Sequence, residues 1–204
     1  MFSGAQISLY PMSDDFVDII IGSLSALDPY RDACRVETDD VSTLLVGPPD
    51  QLFPAMRDFH GAASQGGVHC VLSATVSRGC PGEPDDPICA GTEDIAANDV
   101  PLADRVSNAL RAVHEAPVTG QPVAAQFSLY PLGADRHMGE IYACIDFLKR
   151  SGVFDRSKHF CTKLCGDAGR VFAAVGQAFL AFGGAAERHV ALDLTVSANS
   201  PSAT

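Results

Sequence analysis

The chain has 204 residues, 47% of them hydrophobic, and sets 14 Lys and Arg against 25 Asp and Glu for a net charge of −11. That acidity argues against a nucleic-acid partner, whose phosphates demand basic surface, and no apolar run approaches the ~20 residues of a membrane span. The opening MFSGAQISLYPM lacks the basic and long apolar regions of an export signal, so a soluble, cytoplasmic protein of one or two domains is expected.

In chain order, AQISLYP (5–11) alternates as a strand, and DDFVDIIIGSLSAL (14–27) is an amphipathic helix with acidic residues in its first turn. ACRVET (33–38) and VSTLLVG (41–47) read as strands paired across Asp39 and Asp40, PDQLFPAMRDFHGAA (49–63) as a second helix, and VHCVLSATVS (68–77) as a last strand. CPGEPDDPICAGTED (80–94) is loop by composition. Leu102, Val106, Ala109, Leu110 and Val113 then follow a helical period behind Pro101, which suits a first helical turn.

At that point the order begins again. AQFSLYPL (125–132) repeats AQISLYPM (5–12) at a shift of 120 residues, and Val17, Ile20, Ile21, Leu24 and Leu27 are answered by Met138, Ile141, Tyr142, Ile145 and Leu148 at 121. Val41, Thr43, Leu45 and Gly47 match Phe160, Thr162, Leu164 and Gly166 at 119, and His69, Thr75, Val76 and Ser77 match His189, Thr195, Val196 and Ser197 at 120. Matching segments in a fixed order mark a duplicated unit. The expected architecture is α+β: two tandem ferredoxin-like βαββαβ units, residues 1–79 and 123–204, with antiparallel sheets, helices on one face, and a connector over 80–122 holding one short helix.

The last strand has apolar Val190, Leu192, Leu194 and Val196 alternating with His189, Ala191, Asp193, Thr195 and Ser197, so one sheet face belongs against helices and the other is polar. That open face carries Tyr10 or Tyr130 and calls for a partner, whether the other half, a second subunit or water; a homodimer is the expectation. The seven cysteines are odd in number, and none has the spacing of a zinc site. Free thiols in a reducing compartment are expected, with neither metal nor cofactor.

No GxSxG, HExxH, Walker loop or GxGxxG supplies standard catalytic machinery. His69 and His189 are the histidines that repeat, and each stands at the start of a last strand, where a packing role suffices. Asp14 and Asp135 precede the first helix of each half, suited to capping a helix or to touching a ligand from the loop. Thr43 and Thr162 share their strand face with Val41 and Leu45, or Phe160 and Leu164, which points their hydroxyls into the apolar layer. There a backbone carbonyl, or a ligand wedged between sheet and helices, would have to satisfy them.

The phrases SLYPMSDDF (8–16), TDDVSTLLVG (38–47), GCPG (79–82), SLYP (128–131) and SANSPS (197–202), in this order over a duplicated unit, resemble the YkoF-type thiamine and hydroxymethylpyrimidine-binding proteins. The resemblance covers nearly the whole chain. It implies tandem ferredoxin-like units akin to ACT-type ligand-binding modules, a homodimer, and one pocket per half for the pyrimidine of thiamine, serving thiamine-precursor salvage or transport without catalysis. The chain differs from the pattern in its longer, more acidic connector and in GADRH (133–137), which stands where the first half has SDD.

An aminopyrimidine offers ring-nitrogen acceptors and an amino donor, so its site needs a few polar groups in an apolar slot. Ser8, Tyr10, Asp14, Thr43 and Ser77 are the candidates in the first half, and Ser128, Tyr130, Asp135, Thr162 and Ser197 in the second. The competing expectation is an enzyme acting on a thiamine precursor with Cys80 as nucleophile.

Overall fold

A computed structural model describes residues 3–79, 100–132, 138–182 and 189–202. Strand β1 spans Ser3–Pro11, with Ala5, Ile7 and Leu9 buried and Gln6 and Tyr10 exposed, as its alternation requires. Helix α1 covers only Phe16–Ser23, because the chain tightens into a 3₁₀ segment over Leu24–Tyr30. Two serines there divert backbone acceptors, Ser23 Oγ to the Ile20 carbonyl at 2.7 Å and Ser25 Oγ to Gly22 at 2.9 Å, and Pro29 cannot donate to a further turn.

Strands β2 (Arg35–Thr38) and β3 (Thr43–Val46) are both shorter than the sequence suggests. Helix α2 (Pro49–Ala63) begins where expected, with a proline at its first position, and β4 (Cys70–Arg78) completes the first unit. The connector contributes α3 (Leu102–Glu115). The second unit follows as β5 (Pro122–Pro131), α4 (Met138–Arg150), β6 (Phe154–Ser157), β7 (Thr162–Asp167), α5 (Ala168–Ala181) and β8 (Val190–Ala198).

The strands form one eight-stranded sheet in the order β2-β3-β1-β4-β8-β5-β7-β6, antiparallel at every pairing. Each half is the ferredoxin-like order, and the halves are joined edge to edge through β4 and β8 rather than face to face. The register pairs Ala74 with Leu194, residues that are also equivalent under the 120-residue repeat, so an internal two-fold axis passes between them. Joining β4 to β8 removes one exposed edge from each unit. On the outer face of the seam, His69 Nε2 lies 3.1 Å from Ser197 Oγ, and His189 Nε2 lies 2.9 Å from Ser77 Oγ. The two repeated histidines thus cross-link the halves symmetrically.

The helices cover the other face. Phe53 of α2 and Phe179 of α5 meet with ring centroids 5.6 Å apart, and a Cβ at Gly176 would sit 3.1 Å from the Phe53 ring, so the glycine lets the two helices approach. The connector is tied down by Asp167, which caps α5 through Gly169 N–H at 2.8 Å and accepts from the backbone N–H groups of Thr119 at 3.1 Å and Gly120 at 2.7 Å. Partial burial raises the pKa of this carboxyl, but the three backbone donors outweigh it and hold the group below its ordinary value. Arg105 of α3 makes a bidentate pair with Glu140 of α4 at 2.6 and 3.0 Å and donates to the Ala181 carbonyl at 2.7 Å. No described helix is long and apolar enough to cross a membrane.

Candidate functional site

The repeated SLYP phrase occupies a particular part of its strand. β1 pairs with β3 only from Gly4 to Ile7, and β5 with β7 only from Pro122 to Phe127. Ser8–Pro11 and Ser128–Pro131 therefore pair on one side, with β4 and β8, and among the described residues have no strand partner on the other. The β2-β3 and β6-β7 hairpin tips and the helix after the first strand of each half overhang this gap, and a cleft lies beneath them in both halves.

The first cleft has a volume of about 120 Å³ and is lined by Ile7, Ser8 and Leu9 of β1, Ile20 of α1, Phe59 of α2 and hairpin residues 38–43. The second, about 510 Å³, takes residues 127–131 of β5, a wall from α4 that includes Glu140, Ile141, Cys144 and Ile145, hairpin residues 157–162, and Phe182. Ten of the eleven residues lining the first cleft have their repeat equivalents lining the second. A further cavity of about 210 Å³ lies within the helix layer, between α2, α3 and α5.

Each hairpin tip is latched to the open edge by the serine of the phrase. Ser8 Oγ donates to the Val41 carbonyl at 3.1 Å, and Ser128 Oγ donates to the equivalent Phe160 carbonyl at 2.7 Å. In the first hairpin, Asp39 Oδ1 also accepts from Val41 and Ser42 N–H at 2.8 Å each, and these donors, Val41 foremost, lower its carboxyl pKa.

Thr43 is 4% exposed, and its hydroxyl is 3.0 Å from Thr38 Oγ1. Its equivalent Thr162 is half-buried and lines the second cleft beside Ser157, the counterpart of Thr38. Among the described residues Thr162 and Ser157 share no hydrogen bond of that kind. The inward placement expected of their neighbours does not hold: Val41 is 75% and Phe160 91% exposed. The β1-β3 and β5-β7 ladders end at Thr43 and Thr162, so these two apolar side chains belong to the hairpin tips.

Ser8 and Thr43 therefore meet in the first cleft, and Ser128, Tyr130 and Thr162 in the second. Ser77 and Ser197 lie at the sheet seam with the histidines. Tyr10, 51% exposed, is on the open sheet face, and Tyr130 is 46% exposed. Asp14 is exposed and does not cap α1, whose N-cap is Asp15 with no side-chain bond. The chain turns there through Ser13, whose hydroxyl accepts from Asp15 N–H at 3.2 Å. Asp135 and Cys80 fall outside the described residues.

The hairpin tips and the apolar wall of α4 were not among the sequence candidates, although the 119-residue shift already aligned the tips. Cys144 in the second cleft is a poor nucleophile, since burial first and Glu140 second push its thiol up to about 12. Among the described residues, no three His, Cys, Asp or Glu side chains gather to hold a metal ion.

The sequence profile of the YkoF-related family matches residues 2–83 and again 122–203. The chain belongs to that family. A Bacillus subtilis (strain 168) protein, "Putative HMP/thiamine-binding protein YkoF", is 32% identical over 200 residues, spanning 98% of this chain and 92% of its own length. Both profile matches include a complete cleft, so the duplicated geometry and the duplicated family match coincide.

Proposed function

We propose that the protein binds the aminopyrimidine of hydroxymethylpyrimidine or thiamine in the two clefts and releases it unchanged, serving salvage or transport of thiamine precursors in the cytoplasm. The observation that carries this is the same lined cleft built twice at the unpaired edge of SLYP, in a chain whose relative is named for HMP and thiamine binding. A flat heteroaromatic ring suits the gap between the strand edge and the apolar helix wall, with the hydroxyls of Thr162 and Ser157 in reach of its polar rim.

In this reading, residues 1–79 and 123–204 are the two binding units and 80–122 joins them. No cofactor or metal takes part, and the protonated Cys144 thiol fits binding without chemistry. The open sheet face, with Tyr10 and Tyr130 half exposed, is the surface through which two copies pair. The test is calorimetric titration of the purified chain with thiamine and with hydroxymethylpyrimidine, followed by chromatography of the recovered ligand. Saturable heat with unaltered ligand supports the reading, whereas turnover, or no heat with either compound, refutes it.

A further inference from the structure

The two clefts match in position and in most of their lining, yet their hairpins differ in the sign of their charge. Under the 119-residue shift, Glu37 becomes Arg156, Asp39 becomes Lys158 and Asp40 becomes His159. Residues 35–43 carry Arg35 against Glu37, Asp39 and Asp40, a net of −2. Residues 154–162 carry Arg156 and Lys158 against Asp155, a net of +1 before any charge on His159. Asp39 and Asp40 line the first cleft, and Lys158 and His159 the second, so the reversal falls on the cleft walls.

The pairing of nearby groups sharpens the contrast. Around the second cleft two of the described carboxylates already have cations: Asp155 holds Lys163 at 2.9 Å, and Glu140 holds Arg105 at 2.6 Å. Lys158 Nζ donates to a neutral acceptor, Gln126 Oε1, at 2.9 Å, and among the described residues it has no carboxylate in salt-bridge range. In the first hairpin Glu37 takes up Arg35 at 2.5 Å. Asp39 is held by backbone N–H groups, and among the described residues neither it nor Asp40 meets a cation. One cleft keeps surplus negative charge at its lip and the other surplus positive charge.

We propose that the duplicated clefts sort their ligands by charge, the first taking the permanently cationic, thiazolium-bearing compound and the second the phosphate monoester of the pyrimidine alcohol. This rests on the pyrimidine-binding reading and extends it by assigning a charge class to each cleft. The ring occupies the apolar slot in both. At the second cleft Lys158 and His159 reach the phosphate as charge-assisted donors, and at the first the aspartates favour the cation.

The test is calorimetric titration of the full chain, and of variants Lys158→Asp/His159→Asp, Lys158→Gln and Asp39→Lys/Asp40→His, with the pyrimidine alcohol and with its phosphate monoester. In the unaltered chain one site prefers the ester by about tenfold or more, and that preference shrinks as salt shortens the Debye length to about 8 Å at physiological strength. Lys158→Gln, the mild change, reduces the preference. The double aspartate variant abolishes it, read as the ratio of ester to alcohol affinity within that variant, and the lysine-histidine swap in the first hairpin creates a second ester-preferring site. If the alcohol binds at both sites and the ester is never favoured, or if the preference survives the charge swap, charge sorting is overturned and the binding reading stands. If neither compound binds, both fall.

Discussion

Thr43 and Thr162 are equivalent by sequence, but their surroundings predict opposite outcomes for the same substitution. Thr43→Val removes the partner of Thr38 Oγ1. Because Thr38 is exposed, water can replace the lost bond, which limits the cost to about 1 kcal/mol, or about 3 °C in melting temperature for a chain of this size. Thr162→Val loses a hydroxyl that faces the second cleft, so stability should hold. If that hydroxyl pairs with a ring nitrogen or the amino group, its loss strands a buried ligand group at about 1–3 kcal/mol, roughly tenfold or more in affinity. Thermal melts without ligand and calorimetry with it, run on both single variants, separate the two effects. Equal losses of melting temperature with affinity intact in both would refute the assignment of Thr162 to the site.

Three further outcomes concern the scaffold. His60 is fully buried, with Nε2 3.2 Å from the Cys70 carbonyl, and burial lowers its pKa more than that bond raises it. The unfolded chain therefore takes up its proton first, so the stability His60 contributes is complete above about pH 6.5 and falls as pH drops below it. Urea melts at pH 5 and 7.5 should show a smaller difference for His60→Leu than for the unaltered chain, and an unchanged difference contradicts the account. Asp167→Ala, which frees the start of α5 and the connector donors, should cost about 2 kcal/mol; a loss within error in denaturant melts would count against the tie. Gly169→Ala should destabilise the fold strongly, since its Cβ would fall 1.8 Å from the Pro117 carbonyl oxygen, whereas Gly61→Ala in α2 meets nothing within 4 Å and should gain about 0.5–1 kcal/mol. Equal melting shifts for the two glycine variants would refute that contrast.

Much of the architecture is legible in the chain. The repeat shift made the second SLYP phrase the first strand of the second unit, as the first phrase is of the first unit, and period-two alternation in Val190–Val196 separated the helix-covered face from the open one. What alternation cannot specify is which strand edges meet, and the β4-β8 junction depends on contacts such as His69 with Ser197, which lie 128 residues apart. The expected inward placement of Val41 and Phe160 fails for a related reason. Thr43 keeps the buried face expected of it, but the ladder ends at Thr43 and Thr162, and the length of a pairing follows from the partner strand rather than from local pattern. Beyond that end the chain turns into the hairpin tip, so Val41 and Phe160 project outward and Asp39 and Lys158 reach the cleft walls. The early end of α1 came from serine hydroxyls competing for backbone carbonyls, a side-chain effect that the apolar period of 14–27 does not reveal.

If each chain holds two pyrimidine-binding clefts, calorimetric titration of the intact chain with hydroxymethylpyrimidine, beside the Thr162→Val variant, gives saturable binding at two sites per chain, with one of the two weakened by the substitution. A single site, no saturable heat, or an isotherm identical in the variant rules the two clefts out.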